Sequence, residues 1–255
     1  MANRLAGKVA IVTGAGSRGP GVGNGKAASI LFAREGARVL CADLDEARAK
    51  ETVGLITAEG GEATACAADV TRADDCRRMV ATAMERYGGL HIVHNNVGIE
   101  SRKSVLDVSE EEWDQVMAVD LKSMLLTTQA AAPAMAERGG GSIICVSSVA
   151  GLRAYGRTAY AAAKAGVIGF VISVAGQLAP KGIRVNAIAP GPVWTPMVES
   201  LGEDMRDRRR RSVPLETEGT AWDVGWAAVY LASDEARWVT GHTLVVDGGL
   251  TVTTR

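Results

Sequence analysis

The chain has 255 residues, 47% apolar, 22% charged and 4% aromatic, and carries 30 glycines where average usage near 7% would give about 18. That length buries a core large enough to need no disulfide or metal support, which excludes the mini-protein classes. The 28 basic and 29 acidic side chains leave a net charge of -1, with no surplus to hold a polyanion, so nucleic acid is not an expected partner.

Met1 to Gly7 has one basic residue and no apolar leader segment, and no run nears the roughly 18 unbroken apolar residues of a membrane helix. A soluble, cytoplasmic protein without membrane partners is expected. Cys41, Cys66, Cys76 and Cys145 show no Cys-x-x-Cys spacing and read as buried thiols in a reducing compartment.

In chain order, strands are expected at Val9 to Val12, Arg38 to Asp43, Ala63 to Asp69, Leu90 to Asn95, Ser142 to Ser147, Arg184 to Ala189 and Leu244 to Asp247. Helices are expected at Gly25 to Glu35, Asp45 to Glu59, Ala73 to Tyr87, Glu110 to Glu137, Ala154 to Leu178 and Thr220 to Ser233. Near-continuous apolar strands alternating with helices predict a doubly wound α/β sheet of parallel strands covered on both faces. No internal repeat and no linker divides the chain, so one domain over 1–255 is expected.

After the first strand comes Thr13-Gly-Ala-Gly-Ser-Arg-Gly-Pro-Gly-Val-Gly-Asn-Gly25, with six glycines in thirteen positions. A strand before it, a helix after it and Asp43 closing the next strand fit a dinucleotide-binding loop, whose bare backbone and helix N-terminus accept a pyrophosphate. Gly14, Ser17, Gly23 and Gly25 are expected to reach the cofactor. Asp43 would accept the ribose hydroxyls of NAD and repel a 2′-phosphate, although Arg18 could still reach one. Capping of the next helix is the plainer role for Asp43.

Tyr160-Ala-Ala-Ala-Lys164 puts a phenol and an ammonium one turn apart on one helix face. A nearby positive charge favours the phenolate, as acid-base work at neutral pH requires. Ser147-Ser148-Val-Ala-Gly151 precedes this pair and Pro190-Gly191 follows it. With Thr13-Gly14, Asp43, Asp69-Val70, Asn95-Asn96-Val97-Gly98, Asn186 and Val246-Asp247-Gly248-Gly249, the set resembles the short-chain dehydrogenase/reductase family in its short form, over essentially the whole chain.

The resemblance implies a single-domain Rossmann fold with seven parallel strands, a homotetramer, and hydride transfer between a nicotinamide and a secondary alcohol or ketone. By resemblance, Tyr160 is the general acid-base, Lys164 binds the nicotinamide ribose, and Ser148 polarises the substrate oxygen, with Ser147 the weaker candidate. Asp69 and Val70 would flank the adenine, and Asn96, Val97 and Gly98 would line the cofactor. Val193 and Thr195, after Pro190 and Gly191, would contact the carboxamide.

Three features depart from the family pattern. About five extra residues follow Gly14, forming either a flap over the pyrophosphate or a surface bulge. Asp120 stands where an asparagine that anchors a water leading to the lysine is usual. It is expected to keep the relay as a fourth catalytic residue and to shift the pH-rate profile alkaline, although a neutral substitution is the alternative. His94 replaces an aliphatic residue and reads as a buried imidazole; His91 and His94 are taken to face the same side, and without a third ligand no metal is expected.

Tyr155, Trp194 and Met197 are expected in the substrate pocket or its lid, which spans about 195–214. Trp113, Trp222, Trp226 and Trp238 suit helix packing or subunit contact. Arg206-Asp-Arg-Arg-Arg-Arg211 reads as a solvated face, or as a basic lid that would admit an anionic substrate. An enoyl reductase of this fold would favour a longer Tyr-to-Lys spacing, and an epimerase or dehydratase a longer C-terminal region. A non-catalytic dinucleotide sensor or scaffold remains the alternative of a different class.

Overall fold

The computed structural model describes residues 3–253. Seven strands, β1 (Val9–Thr13), β2 (Arg38–Asp43), β3 (Ala63–Ala67), β4 (Ile92–Asn95), β5 (Gly141–Val146), β6 (Ile183–Pro190) and β7 (Thr243–Val246), form one parallel sheet ordered β3-β2-β1-β4-β5-β6-β7. The reversal of direction between β1 and β4 is where an open parallel sheet leaves a crevice at its carboxyl ends.

Alternation along β1 shows why its residues are apolar throughout. Val9 and Ile11 join one core cluster, and Ala10 and Val12 join the other. Helices α1 (Asn24–Arg34), α2 (Glu46–Ala58) and α8 (Ala221–Ala232) supply the second cluster. The first is covered by α3 (Ala73–Tyr87), α5 (Ser123–Glu137) and α6 (Thr158–Leu178). Each fully buried Val, Ile or Leu contributes about 1.5–3 kcal/mol from area removed from water.

The four cysteines are free and buried. Burial pushes the thiols of Cys41 and Cys145 up to about 12, which leaves them inert as nucleophiles at neutral pH.

Several boundaries differ from expectation. The helix expected from Ala154 begins at Thr158, after a single 3₁₀ turn at Val149–Gly151. The long helix expected from Glu110 to Glu137 is α4 (Glu110–Met117), a π turn at Ala118–Lys122, and α5. The 195–214 segment holds α7 (Glu203–Arg211). Asp45, not Asp43, caps α2, its Oδ1 accepting from the Ala47 N–H at 3.0 Å.

The segment Thr158–Lys181 is long and apolar enough to cross a membrane by length and composition. Its Ala163, Val167, Val171 and Ala175 instead pack into the sheet, as a core helix does. His91 and His94 do not form a pair. Three positions along a strand put side chains on opposite faces; His91 Nδ1 accepts from the Val9 N–H at 3.0 Å, and His94 is buried edge-on to Phe32. Among the described residues no group of three or more metal-ligating side chains occurs.

Candidate active site

A cleft of about 470 Å³ opens at the carboxyl ends of the strands, around the β1/β4 switch. Its floor begins at Gly14, whose φ of +63° suits glycine. Gly25, at the start of α1, packs so closely that a β-carbon there would lie 2.1 Å from the Gly14 carbonyl oxygen. A β-carbon on Gly16 would lie 2.4 Å from Arg48 Cβ. The α1 N-terminus has no side-chain cap, so its first N–H groups are open to an anion in the cleft. This bare-backbone cradle fits the pyrophosphate of a dinucleotide.

The extra residues of the glycine loop are tied at their base by Ser17, whose Oγ accepts from the Gly23 N–H at 2.9 Å. Their tip faces the loop after β6: a β-carbon on Gly21 would lie 3.4 Å from Pro196 Cγ. Arg18 and Pro196 both line the cleft. The loop therefore spans the cleft mouth as a flap rather than bulging away from it.

Asp43 borders the same end, with Oδ2 accepting from the Gly16 N–H and Oδ1 from the Asp45 N–H. Asp69 and Val70 flank it; Asp69 Oδ1 accepts from the Thr71 N–H at 2.9 Å. Asn96 acts as a brace, its Nδ2 donating to the carbonyls of Thr13 and Gly14. Val97 and Gly98 continue along the wall, and Pro190, Gly191, Val193 and Thr195 close the far side. Gly191 is pressed against Asp247 so that a β-carbon would lie 2.5 Å from its Cα.

At the centre, Ser148, Tyr160 and Lys164 line one cleft. Ser147 Oγ donates to the Lys164 carbonyl at 2.7 Å, which spends its hydrogen inside the fold. Ser148 Oγ instead accepts from the Ala150 N–H at 3.1 Å, leaving its hydrogen free. Gly151 lets this turn rest on α6, since a β-carbon there would be 2.7 Å from the Lys164 carbonyl carbon.

Lys164 is buried, with Nζ donating to the Val146 carbonyl at 3.1 Å and lying 5.6 Å from the Tyr160 ring centre. Asp120 sits behind it, outside the cleft lining, with Oδ2 3.1 Å from Nζ. That direct ion pair leaves no room for a water between the two atoms, so the carboxylate meets the ammonium itself. Asp120 Oδ1 accepts from the Ile99 N–H at 2.8 Å, and the π turn delivers the carboxylate to both partners. Burial alone would push the Lys164 ammonium down; the charges of Asp120 and Tyr160 outweigh it and hold the group above the usual lysine value.

Tyr155 and Met197 line the cleft, whereas Trp194 does not; its ring packs 5.3 Å from the Arg206 guanidinium. Trp222 packs 5.4 Å from the guanidinium of Arg34, Trp113 joins a small core cluster, and Trp226 and Trp238 are exposed. Gly16 belongs to the glycine motif and Glu100 to the loop after β4, but neither they nor Arg209 were singled out from the sequence as individual residues, and all three border the cleft. The signal for Arg209 is in its spacing: the positions three and four before it are Arg206 and Met205, so no acidic neighbour on its helix face neutralises it.

A family model described as enoyl-(acyl carrier protein) reductase matches residues 21–251. The chain is 39% identical over 250 residues to a 3-oxoacyl-(acyl-carrier-protein) reductase of Thermotoga maritima, covering 98% of this chain and 100% of that protein. It is 38% identical over 253 residues to a 2,5-dichloro-2,5-cyclohexadiene-1,4-diol dehydrogenase of Sphingobium indicum, covering 99% of each. Among solved structures, a short-chain type dehydrogenase/reductase of Mycobacterium marinum superposes with a TM-score of 0.92 at 33% identity, over 99% of this chain and 98% of that one. A 7α-hydroxysteroid dehydrogenase complexed with NADH and 7-oxo glycochenodeoxycholic acid gives 0.91 at 33% identity, over 97% and 96%.

Proposed function

We propose, for a chain that belongs to the short-chain dehydrogenase/reductase family and is an oxidoreductase of alcohol- and ketone-type substrates, that its cofactor is NAD and that Ser148, Tyr160 and Lys164 handle the proton side of the reaction. The observation that carries this reading is the convergence of the free Ser148 hydroxyl, the Tyr160 phenol and the buried Lys164 ammonium on the glycine-floored cleft. A bound nicotinamide supplies or accepts the hydride at the substrate carbon.

The rest is done by the chain itself. Ser148 donates its unspent O–H to the substrate oxygen and stabilises charge developing there. Tyr160 exchanges the proton with that oxygen. Lys164 has three donors; one is held by the Val146 carbonyl, the ammonium is ion-paired with Asp120 at 3.1 Å, and a donor remains available to a ribose hydroxyl. Asp120 is a positioning residue: its carboxylate fixes the ammonium, keeps it charged, and offsets part of its field at Tyr160.

NAD is favoured over NADP by the negative charge of Asp43 at the adenosine end. Of the cations lining that end, Arg48 is already paired to Asp45 at 3.1 Å, while Arg18 is carried on the glycine loop; a structural neighbour is complexed with NADH. The adenine would lie against Asp69 and Val70, the pyrophosphate against Gly14, Ser17, Gly23 and Gly25, and the nicotinamide between Asn96 to Gly98 and Pro190 to Thr195. A cytoplasmic homotetramer belongs to the same proposal. It is supported by the family and by exposed apolar side chains on α5, α6 and beyond β7, including Leu125, Ile172 and Val252.

The test is nicotinamide absorbance change across a panel of secondary alcohols and ketones, with NAD and NADP compared at saturation. Turnover with a lower KM for NAD is expected. Preference for NADP would overturn the role of Asp43, and tight NAD binding with no turnover of any panel member would favour a sensor.

A further inference from the structure

The basic run on α7 is not uniform. Arg206 is paired with Glu218, through Nη2 at 2.7 Å, and with Glu203 at 3.2 Å; Arg210 and Arg211 are each 2.8 Å from Asp207. Arg209 has no carboxylate partner among the described residues. Its Nη2 donates to the Val193 carbonyl at 3.1 Å, the Tyr155 phenol is its side-chain hydrogen-bonding neighbour, and its Nε is buried with no partner. This guanidinium lines the cleft alongside Tyr155 and Tyr160.

Its surroundings do not neutralise it. Arg102 and Arg157 share a single carboxylate, Glu100, so the substrate end of the cleft holds more positive than negative charge. Burial lowers the proton affinity of Arg209, with the Tyr155 phenol acting in the opposite sense, yet an arginine remains charged at any working pH. A half-buried guanidinium has five N–H donors, and the Val193 carbonyl and the Tyr155 phenol do not use them all; those left on the Nη atoms favour an anion, and their planar fork matches a carboxylate.

We infer that Arg209 anchors a carboxylate of the substrate, so that the alcohol or ketone oxidised or reduced at Ser148 and Tyr160 belongs to a hydroxy or oxo acid. This rests on the oxidoreductase reading of the cleft and adds the substrate class to it. The neighbouring Met197 and Val198 supply an apolar wall for the carbon skeleton between the two polar ends.

The experiment compares matched pairs of oxo acids and their methyl esters on linear, alicyclic and aromatic skeletons. Turnover with NADH and calorimetric binding to the NAD-loaded protein are both measured, for the native chain, Arg209→Gln, Arg209→Lys and Arg210→Gln. In at least one pair the acid is expected to exceed the ester in kcat/KM and affinity by roughly 10- to 100-fold, the range of a hydrogen bond to a charged group. Arg209→Gln removes that preference, Arg209→Lys restores part of it, and Arg210→Gln, whose cation is spent on Asp207, retains it.

The inference is overturned if no acid surpasses its ester in any pair, if the preference survives Arg209→Gln, or if that variant weakens acid and ester equally. Esters turned over without an acid preference would leave the oxidoreductase reading intact and remove the anchor. Acids bound through Arg209 but never turned over would do the reverse.

Discussion

His94 gives the sharpest stability prediction. It lies in β4, opposite Val12 of β1 and Ile144 of β5, with both ring nitrogens unpartnered and the ring against Phe32. Burial pushes its pKa from 6.5 down to about 4. The folded state therefore binds the proton less well than the unfolded chain. The stability this protects is fully present above about pH 6.5 and is lost progressively as pH falls toward about 4. With each tenfold change in proton affinity worth about 1.4 kcal/mol, the loss reaches roughly 3 kcal/mol, a large share of the 5–15 kcal/mol typical of a domain.

Leucine carries no proton and leaves no polar atom unsatisfied, so His94→Leu should remove this loss and cost little at neutral pH. Urea unfolding midpoints measured between about pH 8 and about pH 4 would show it. The native chain should weaken across the range while the variant keeps only a residual slope. That slope belongs to His91, whose pKa is also lowered, by burial and by Lys8, Arg38 and Arg138, and at the acid end to carboxylates such as Glu59 and Glu218, which their arginine partners hold below the usual value. An unchanged slope in His94→Leu would refute the reasoning.

Two further predictions concern the cleft. Asp120→Asn removes the charge that holds Lys164 above its usual value, so activity should fall at high pH as the lysine releases its proton earlier than in the native chain. A profile superimposable on the native one would end the positioning role. Gly25→Ala forces a β-carbon within 2.1 Å of the Gly14 carbonyl, and strain of about 1–3 kcal/mol should appear as weaker NAD binding in a fluorescence titration.

The parts legible in the sequence were those fixed by short-range chemistry. Val9 to Thr13, the glycine loop and the helix after it are contiguous, and the steric need for Gly25 follows from one close approach. Tyr160 and Lys164 share a helix face by spacing alone. The π turn at Ala118–Lys122 was not legible, because its residues suit an α-helix equally; the distant Ile99 N–H and Lys164 ammonium draw Asp120 inward. Capping by Asp45 rather than Asp43 follows from the first helical residue, Glu46: Asp45 directly precedes it, whereas Asp43 is still paired with Ala67 as the last residue of β2. The basic run could be read as a charge pattern, and spacing shows Arg209 without an acidic neighbour on its helix face, but that Arg209 rather than Arg208 borders the cleft is set by how α7 packs against the loop after β6.

The central claim is that Tyr160 carries the substrate proton in a cleft that binds NAD independently of it. Replacing Tyr160 by Phe removes one hydroxyl and leaves the ring beside Lys164. The decisive measurement is kcat for Tyr160→Phe on a substrate the native chain turns over, beside its NAD affinity. kcat should fall about 10²- to 10⁴-fold, the usual contribution of a positioned acid-base, with NAD affinity little altered. Retention of more than about a few percent of native turnover would contradict it.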